Sequence, residues 1–179
     1  MNTLYSVSLL ALLLLSQSDF AHAGPVKNQQ SVLGGVLVRA GVSGQAQLSN
    51  EQLSDLCEKG FSQAFFLYSG ATPRSVSCSR GKIVYRSVSW LNPAPVLQAI
   101  NAGLQGGGRV FVHCNNGAHA SGFIAAIALR QFCRYSGDEA MAYWSRTNAY
   151  GNPPGIGRIR RELNSFSPLA GMTASSSCR

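Results

Sequence analysis

The sequence predicts a three-layer α/β domain: a central, mainly parallel sheet of four to five strands flanked by helices. Three observations predict it. Short apolar runs alternate with helix-like segments along most of the chain, the pattern of strands joined by helical crossovers. Apolar residues make up 45% of the 179 and charged residues 12%, which excludes a disordered chain or a coiled coil. No repeat, low-complexity block or linker divides the chain, and its length suits one domain with one sizeable core.

The elements follow in order. Residues 24–34 form a polar entry segment, and residues 36–39 a first short strand. Residues 49–59 read as a short helix, with Ser49 as cap, Leu53 and Leu56 on one face, and Gly60 as the stop. The run AFFLY at 64–68 is a buried strand. Residues 69–81, rich in Gly, Ser, Pro and Arg, read as a loop. The stretch KIVYRSVSW at 82–90 alternates as a strand does. A helix over 93–104 has Pro near its start and Gly106, Gly107 and Gly108 after its end. Next come the apolar strand RVFVH at 109–113, a loop of small and polar residues at 114–120, and an Ala-rich buried helix at 121–135. Helices over 138–146 and 155–166 complete the series, the last of them basic. The Ser-rich tail, 167–179, is expected to be loose apart from Cys178.

Ahead of these elements, Leu9 to Leu15 is an apolar run, followed by Ala21-His22-Ala23, a small-x-small cleavage pattern. This reads as a secretory signal peptide over 1–23, although no Lys or Arg precedes the run. The run is too short to span a bilayer as a mature helix, and no Cys follows it to carry a lipid. No transmembrane segment is expected after its removal, and the protein is expected to be secreted or periplasmic. The full chain carries a formal net charge of +8. Loss of Asp19 with the leader leaves fifteen basic against six acidic residues, a net of +9. That excess suits an anionic partner without choosing among phosphate esters, nucleic acid and membrane surface.

Export makes the five cysteines informative: Cys57, Cys78, Cys114, Cys133 and Cys178. In an oxidising compartment four can pair, leaving one thiol free. If Cys114 is the free one, Cys57 with Cys78 and Cys133 with Cys178 is the preferred arrangement of the three that four cysteines allow. Oxidation of Cys114 itself is the alternative.

The most informative stretch is RVFVHCNNGAHASG, residues 109–122. A loop between the carboxyl end of a buried strand and a helix N-terminus is a ready anion site, because backbone N–H groups and the helix dipole point into it. Gly117 permits the sharp backbone path. A cysteine at the start of such a loop, here Cys114, stands in a field that favours the thiolate. A thiolate facing a cradle of N–H groups is suited to attack on a phosphoryl group.

The stretch resembles the active-site loop of the cysteine-dependent protein tyrosine and dual-specificity phosphatases, which read His-Cys, five residues, Arg, then Ser or Thr. His113, Cys114, Gly117 and Ser121 fall in the family's positions. The resemblance implies that Cys114 is a nucleophile, that Ser121 assists the departing thiolate and that His113 orders the loop. Asn115, Asn116, Gly117, Ala118, His119 and Ala120 would form the phosphate cradle. The stretch RAGVSGQAQ at 39–47, with the helix, strand and loop after it, is similar to the N-terminal half of bacterial dual-specificity-like members. The organisation implied is a signal peptide at 1–23, an N-terminal segment at 24–34, a phosphatase-like domain at 35–166 and a tail at 167–179, with a dual-specificity-phosphatase-like fold.

Two departures bear on activity. The family arginine, which makes a forked contact with phosphate oxygens, falls at Ala120. Arginine fingers on transferring phosphoryl groups are worth roughly 10³ to 10⁵ in rate. The family's general acid, an Asp some tens of residues before the Cys, is also missing: no Asp or Glu lies between Glu58 and Asp138. The corresponding segment, 87–95, offers only Ser89 and Asn92. General acids contribute about 10² to 10⁴. The chain thus reads as a phosphatase-like domain with impaired catalysis that binds a phosphorylated or other anionic small molecule or protein, or acts as a partner-binding module.

Alternatives remain at this stage. A slow cysteine-dependent phosphatase, acting on phosphotyrosine or another phosphomonoester, would use Cys114 with Ser121, and His119, one position from the missing arginine, as a substitute donor. Arg74, Arg80, Arg86, Arg158, Arg160 or Arg161 would reach over the pocket, unless they simply form a solvated face. A sulfurtransferase-like thiol enzyme is the third reading, since such loops also start with a cradled cysteine. No cofactor is implied. No metal is expected either, with only His113 and His119 left after the leader and no Cys-x-x-Cys. Nucleic acid is disfavoured because the aromatics do not interleave with the basic residues.

Overall fold

The computed structural model describes residues 26–43, 47–148 and 155–178; the leader lies outside them. Among the described residues six strands form one sheet: β1 Val26–Val32, β2 Leu37–Val42, β3 Phe61–Phe66, β4 Arg74–Cys78, β5 Gly81–Ser87 and β6 Arg109–Cys114. Five α-helices accompany them: α1 Asn50–Glu58, α2 Ala94–Ala102, α3 His119–Cys133, α4 Gly137–Thr147 and α5 Ile156–Ser165. The sheet order is β1-β2-β6-β3-β5-β4. The inner four strands pair in parallel, whereas β1 and β4 are antiparallel edges. The three-layer α/β architecture is therefore as the sequence predicts, with the two edges raising the strand number to six.

Both edge strands differ from the sequence reading. The polar entry segment contains β1, and the Gly/Ser/Arg-rich loop contains β4. Edge strands have a physical reason to look like loops. In β1 alternate residues are exposed, and polar side chains occupy most of the strand. The sequence of β4, RSVSC, is equally half-wet. Neither carries the apolar run that marks an inner strand.

Period-two alternation in the inner strands decides which side chains meet on each face. Phe66, Phe111 and Tyr85 join Val38, Ala40, Leu53 and Leu56 in a cluster under α1. Leu37, Phe65, Val110, Val112 and Cys114 face the opposite way, into the larger cluster built with α2 to α5. His113 and Cys114 are adjacent in β6, so their side chains lie on opposite faces of the sheet. Ser49 and Ser136 start α1 and α4 with reciprocal caps, each accepting from the backbone three residues on while Gln52 or Glu139 reaches back.

Cys57–Cys78 and Cys133–Cys178 are disulfides, the preferred arrangement of the sequence reading, and Cys114 is the free thiol. The first staples the edge strand β4 to α1. The second ties the tail to the end of α3. That tail, expected to be loose, is held along its length. The Leu169 N–H donates to Gln131 Oε1 at 2.7 Å, the Thr173 N–H to Asn101 Oδ1 at 2.8 Å, and the Ser175 N–H to the Phe132 carbonyl at 2.9 Å. The 45-residue span of the second bridge makes it stabilising mainly through the unfolded chain. Replacing Cys133 and Cys178 together by Ser is expected to cost about 2–4 kcal/mol, read from the urea midpoint. A loss below about 1 kcal/mol would mean the tail hydrogen bonds alone hold that end of the chain.

Candidate functional site

Strand β6 is central in the sheet, and its last residue, Cys114, emerges at the carboxyl edge, where open α/β sheets receive ligands. Parallel pairing aligns His113 with Ala40 and Phe66, and Cys114 with Gly41. The chain then turns through 115–118 and enters α3 at His119, two residues before the expected start. Ala118, His119 and Ala120 therefore belong to the helix start as much as to the loop. Asn115 and Asn116 are exposed, while Gly117, Ala118, Ala120 and Ser121 are buried.

Two glycines make the loop's path possible. Gly117 has φ +68°, and a Cβ there would lie 2.4 Å from the Gly41 nitrogen and 2.6 Å from the Lys27 carbonyl oxygen. A Cβ on Gly41 would meet the Asn116 carbonyl carbon and the Gly117 nitrogen, each at 2.3 Å. The ends of β2 and the loop are in backbone contact, so both positions require glycine. Gly117 was legible as a turn residue, whereas Gly41 shows its role only once the strands are paired.

Beneath the loop lies Arg39 of β2, fully buried. Its guanidinium donates to the Gly117 carbonyl through Nη1, and to the Thr147 carbonyl at the end of α4 through Nη2, at 3.2 Å. Gly122 provides the space: a Cβ there would lie 3.2 Å from Trp144 Cδ1 and 3.5 Å from Arg39 Nη1. Sequence reading did not single out Arg39 as part of the site. The signal was present, as a lone charge inside the apolar strand LVRAGV.

The expected site residues are partly brought together. Cys114 Sγ and Ser121 Oγ lie 3.4 Å apart, both buried. His113 is on the far face of β6, fully buried between Phe66 and Tyr85, with Nε2 2.9 Å from Tyr85 Oη. Burial pushes its pKa down to about 3, so the imidazole is neutral and packs as a ring. His119 stays on the pocket side. Its carbonyl accepts from Trp144 Nε1 at 3.1 Å, and burial lowers its pKa, which takes charge away from it at neutral pH.

Beside the loop opens a cavity of about 320 Å³, lined by Tyr68, Trp90, His119, Ala120, Gly155, Arg158 and Ile159. Ala120 thus presents a methyl group where the resemblance calls for an arginine. Tyr68, just beyond β3, lines this cavity, and burial first, then the neighbouring Cys114, raise the pKa of its hydroxyl. Cys114 itself is only 2% exposed and lies behind the residues that line this cavity rather than among them. The segment expected to carry an acid forms a turn, with the Asn92 N–H on the Ser89 carbonyl at 2.9 Å. It contributes Trp90 to the pocket, while Ser89 and Asn92 are absent from its lining.

Of the six arginines weighed from sequence, Arg158 lines this pocket. Arg74 bonds Gln47 and covers the Tyr85 ring, Arg80 bonds the Glu58 carbonyl, and Arg86 covers Phe65. Arg160 and Arg161 are exposed on α5.

No family model matches the chain, and no curated protein matches it in sequence. Solved structures do match. The chain is similar to Tk-PTP in its active form, at 16% identity over 75% of this chain and 95% of that one, with a TM-score of 0.52. It is similar to the human tyrosine phosphatase-like serine/threonine/tyrosine-interacting protein, at 17% identity over 75% of this chain and 91% of that one, TM-score 0.51. Human DUSP28 aligns at 15% identity over 79% of this chain and 96% of that one, TM-score 0.50. At these identities the likeness is one of architecture: the chain has the α/β fold of the tyrosine and dual-specificity phosphatases, with a buried free cysteine at the end of its central strand.

Proposed function

We propose that this chain is an exported, phosphatase-like anion-binding protein with impaired catalysis. The observation that carries the reading is Ala120, buried at the cavity wall in the place of the family arginine, with no carboxylate among the described residues lining that cavity. The loop geometry argues for retained binding: the Gly41–Gly117 contact, the Arg39 support and the Cys114–Ser121 contact all hold a compact cradle at the start of α3. The two disulfides and the leader-like first 23 residues support a secreted or periplasmic location. The partner is a phosphorylated or otherwise anionic small molecule or protein side chain.

A slow cysteine-dependent phosphatase is the second reading, favoured by Arg158 in the same cavity. Turnover of phenyl phosphate separates the two. The unmodified chain is expected to bind the ester with little or no phosphate release, and Ala120→Arg to gain turnover, because its side chain would extend into the cavity. Phosphate release by the unmodified chain that vanishes in Cys114→Ser would replace the first reading by the second.

A further inference from the structure

We propose that Arg158 supplies the positive charge of the cavity beside Ala120, clamping from α5 an oxyanion that carries a planar apolar group. The inference rests on the reading that this site still takes anions, and names the residue of this chain that meets the charge; a flat ring beside the anion is what the tyrosine-phosphatase resemblance already implies.

Geometry carries it. Among the described residues lining the cavity, Arg158 is the one with a fixed charge; the others are Tyr68, Trp90, His119, Ala120, Gly155 and Ile159. Its guanidinium carbon lies 5.6 Å from the centroid of the Trp90 ring, so the cation is held at an aromatic wall. Its one ion pair among the described residues, Nε to Glu162 Oε1 at 4.0 Å, joins two half-exposed side chains. Such a pair contributes little and leaves the guanidinium available to a ligand. His119 adds no competing charge at neutral pH, and the Tyr68 hydroxyl remains a hydrogen-bond donor.

The shape of the ligand follows from the walls. Two aromatic rings and Ile159 make most of the lining apolar, and a bare anion would leave that surface wet. An oxyanion joined to a flat apolar group satisfies both parts: its charge meets Arg158 and the loop, and its ring lies against Trp90 and Tyr68. Position also separates Arg158 from the missing loop arginine. An arginine at 120 would stand in the cradle and follow the anion through reaction. One on α5 reaches the anion from another element.

Equilibrium binding of phenyl phosphate and inorganic phosphate to the disulfide-bonded chain tests this, by titration calorimetry. Arg160→Ala on the exposed face of α5 removes the same net charge without touching the cavity. Phenyl phosphate is expected to bind more tightly than inorganic phosphate. Arg158→Ala is expected to weaken phenyl phosphate by about tenfold or more, the loss of a charge-assisted contact, with an unchanged thermal midpoint. Arg160→Ala is expected to weaken it less than about twofold. Equal losses in the two variants, or none in Arg158→Ala, overturn the Arg158 assignment and leave the anion site standing. Equal affinity for the two probes overturns the aromatic-wall argument. Failure of the unmodified chain to bind either probe overturns the underlying anion-binding reading as well.

Discussion

Arg39→Ala is expected to destabilise the protein by about 3–5 kcal/mol, through a cavity in the core and two abandoned carbonyls. Arg39 is fully buried and joins three parts of the molecule: β2 carries it, the loop receives it at Gly117, and α4 ends on it at Thr147. A buried guanidinium bears a desolvation cost, so the residue is not simply a stabiliser. Its hydrogen bonds go to two backbone oxygens, the buried Gly117 carbonyl and the part-buried Thr147 carbonyl, which lose this donor once it is gone. Arg39→Met separates the two contributions. Methionine refills most of the volume and leaves the carbonyls unpaired, so a loss of about 1–3 kcal/mol is expected to remain. Denaturant midpoints at neutral pH measure both variants. A loss below about 1 kcal/mol for Arg39→Ala would show that water or backbone movement replaces the side chain. Anion affinity, measured in parallel, is expected to fall in both variants, because the loop loses its support at Gly117.

The sequence disclosed the parts of this molecule that are written locally. Inner strands such as RVFVH are apolar runs because both of their faces are buried, and the helices between them carry caps and stops. The loop after Cys114 was legible for the same reason, since strand, small-residue turn and helix follow one another within a few residues. Its departure from the phosphatase pattern was legible too, because the resemblance places the arginine by counting from Cys114 to Ala120. Cysteine parity pointed to the disulfides once Cys114 was set aside. What stayed hidden depends on pairing at a distance. β1 and β4 are polar because each lies at a sheet edge, so no apolar run announces them. Tyr68, Trp90 and Arg158 converge on one cavity from the end of β3, the turn after β5 and the first turn of α5. Nothing in their spacing brings them together. Gly41 looks like any small residue until Asn116 and Gly117 are laid against it.

Acid is expected to unfold this protein earlier than its carboxylates alone would dictate, because His113 is buried as a neutral ring. Its folded-state pKa is lowered to about 3 by burial, against an ordinary value near 6.5. In that interval the unfolded chain takes up a proton that the folded chain refuses. The stability tied to His113 is therefore fully present above pH 6.5 and is lost as pH falls through the interval. The slope approaches about 1.4 kcal/mol per pH unit, a total of order 4 kcal/mol by pH 3. His119 acts in the same sense, since burial lowers its pKa too. The lowered carboxyls of Glu58 and Glu139 are fully exposed and enter only below their ordinary value of 4.5. Urea midpoints between pH 7.5 and 5 isolate the histidines, because the carboxylates stay ionised there. The unmodified chain is expected to lose stability across that range, and His119→Gln to keep most of the slope. His113→Gln is expected to start lower at pH 7.5, having lost its packing between Phe66 and Tyr85, and then to stay nearly flat. A flat profile in the unmodified chain would mean that His113 finds a proton acceptor or solvent on the α1 face, and that the ring is not sealed there.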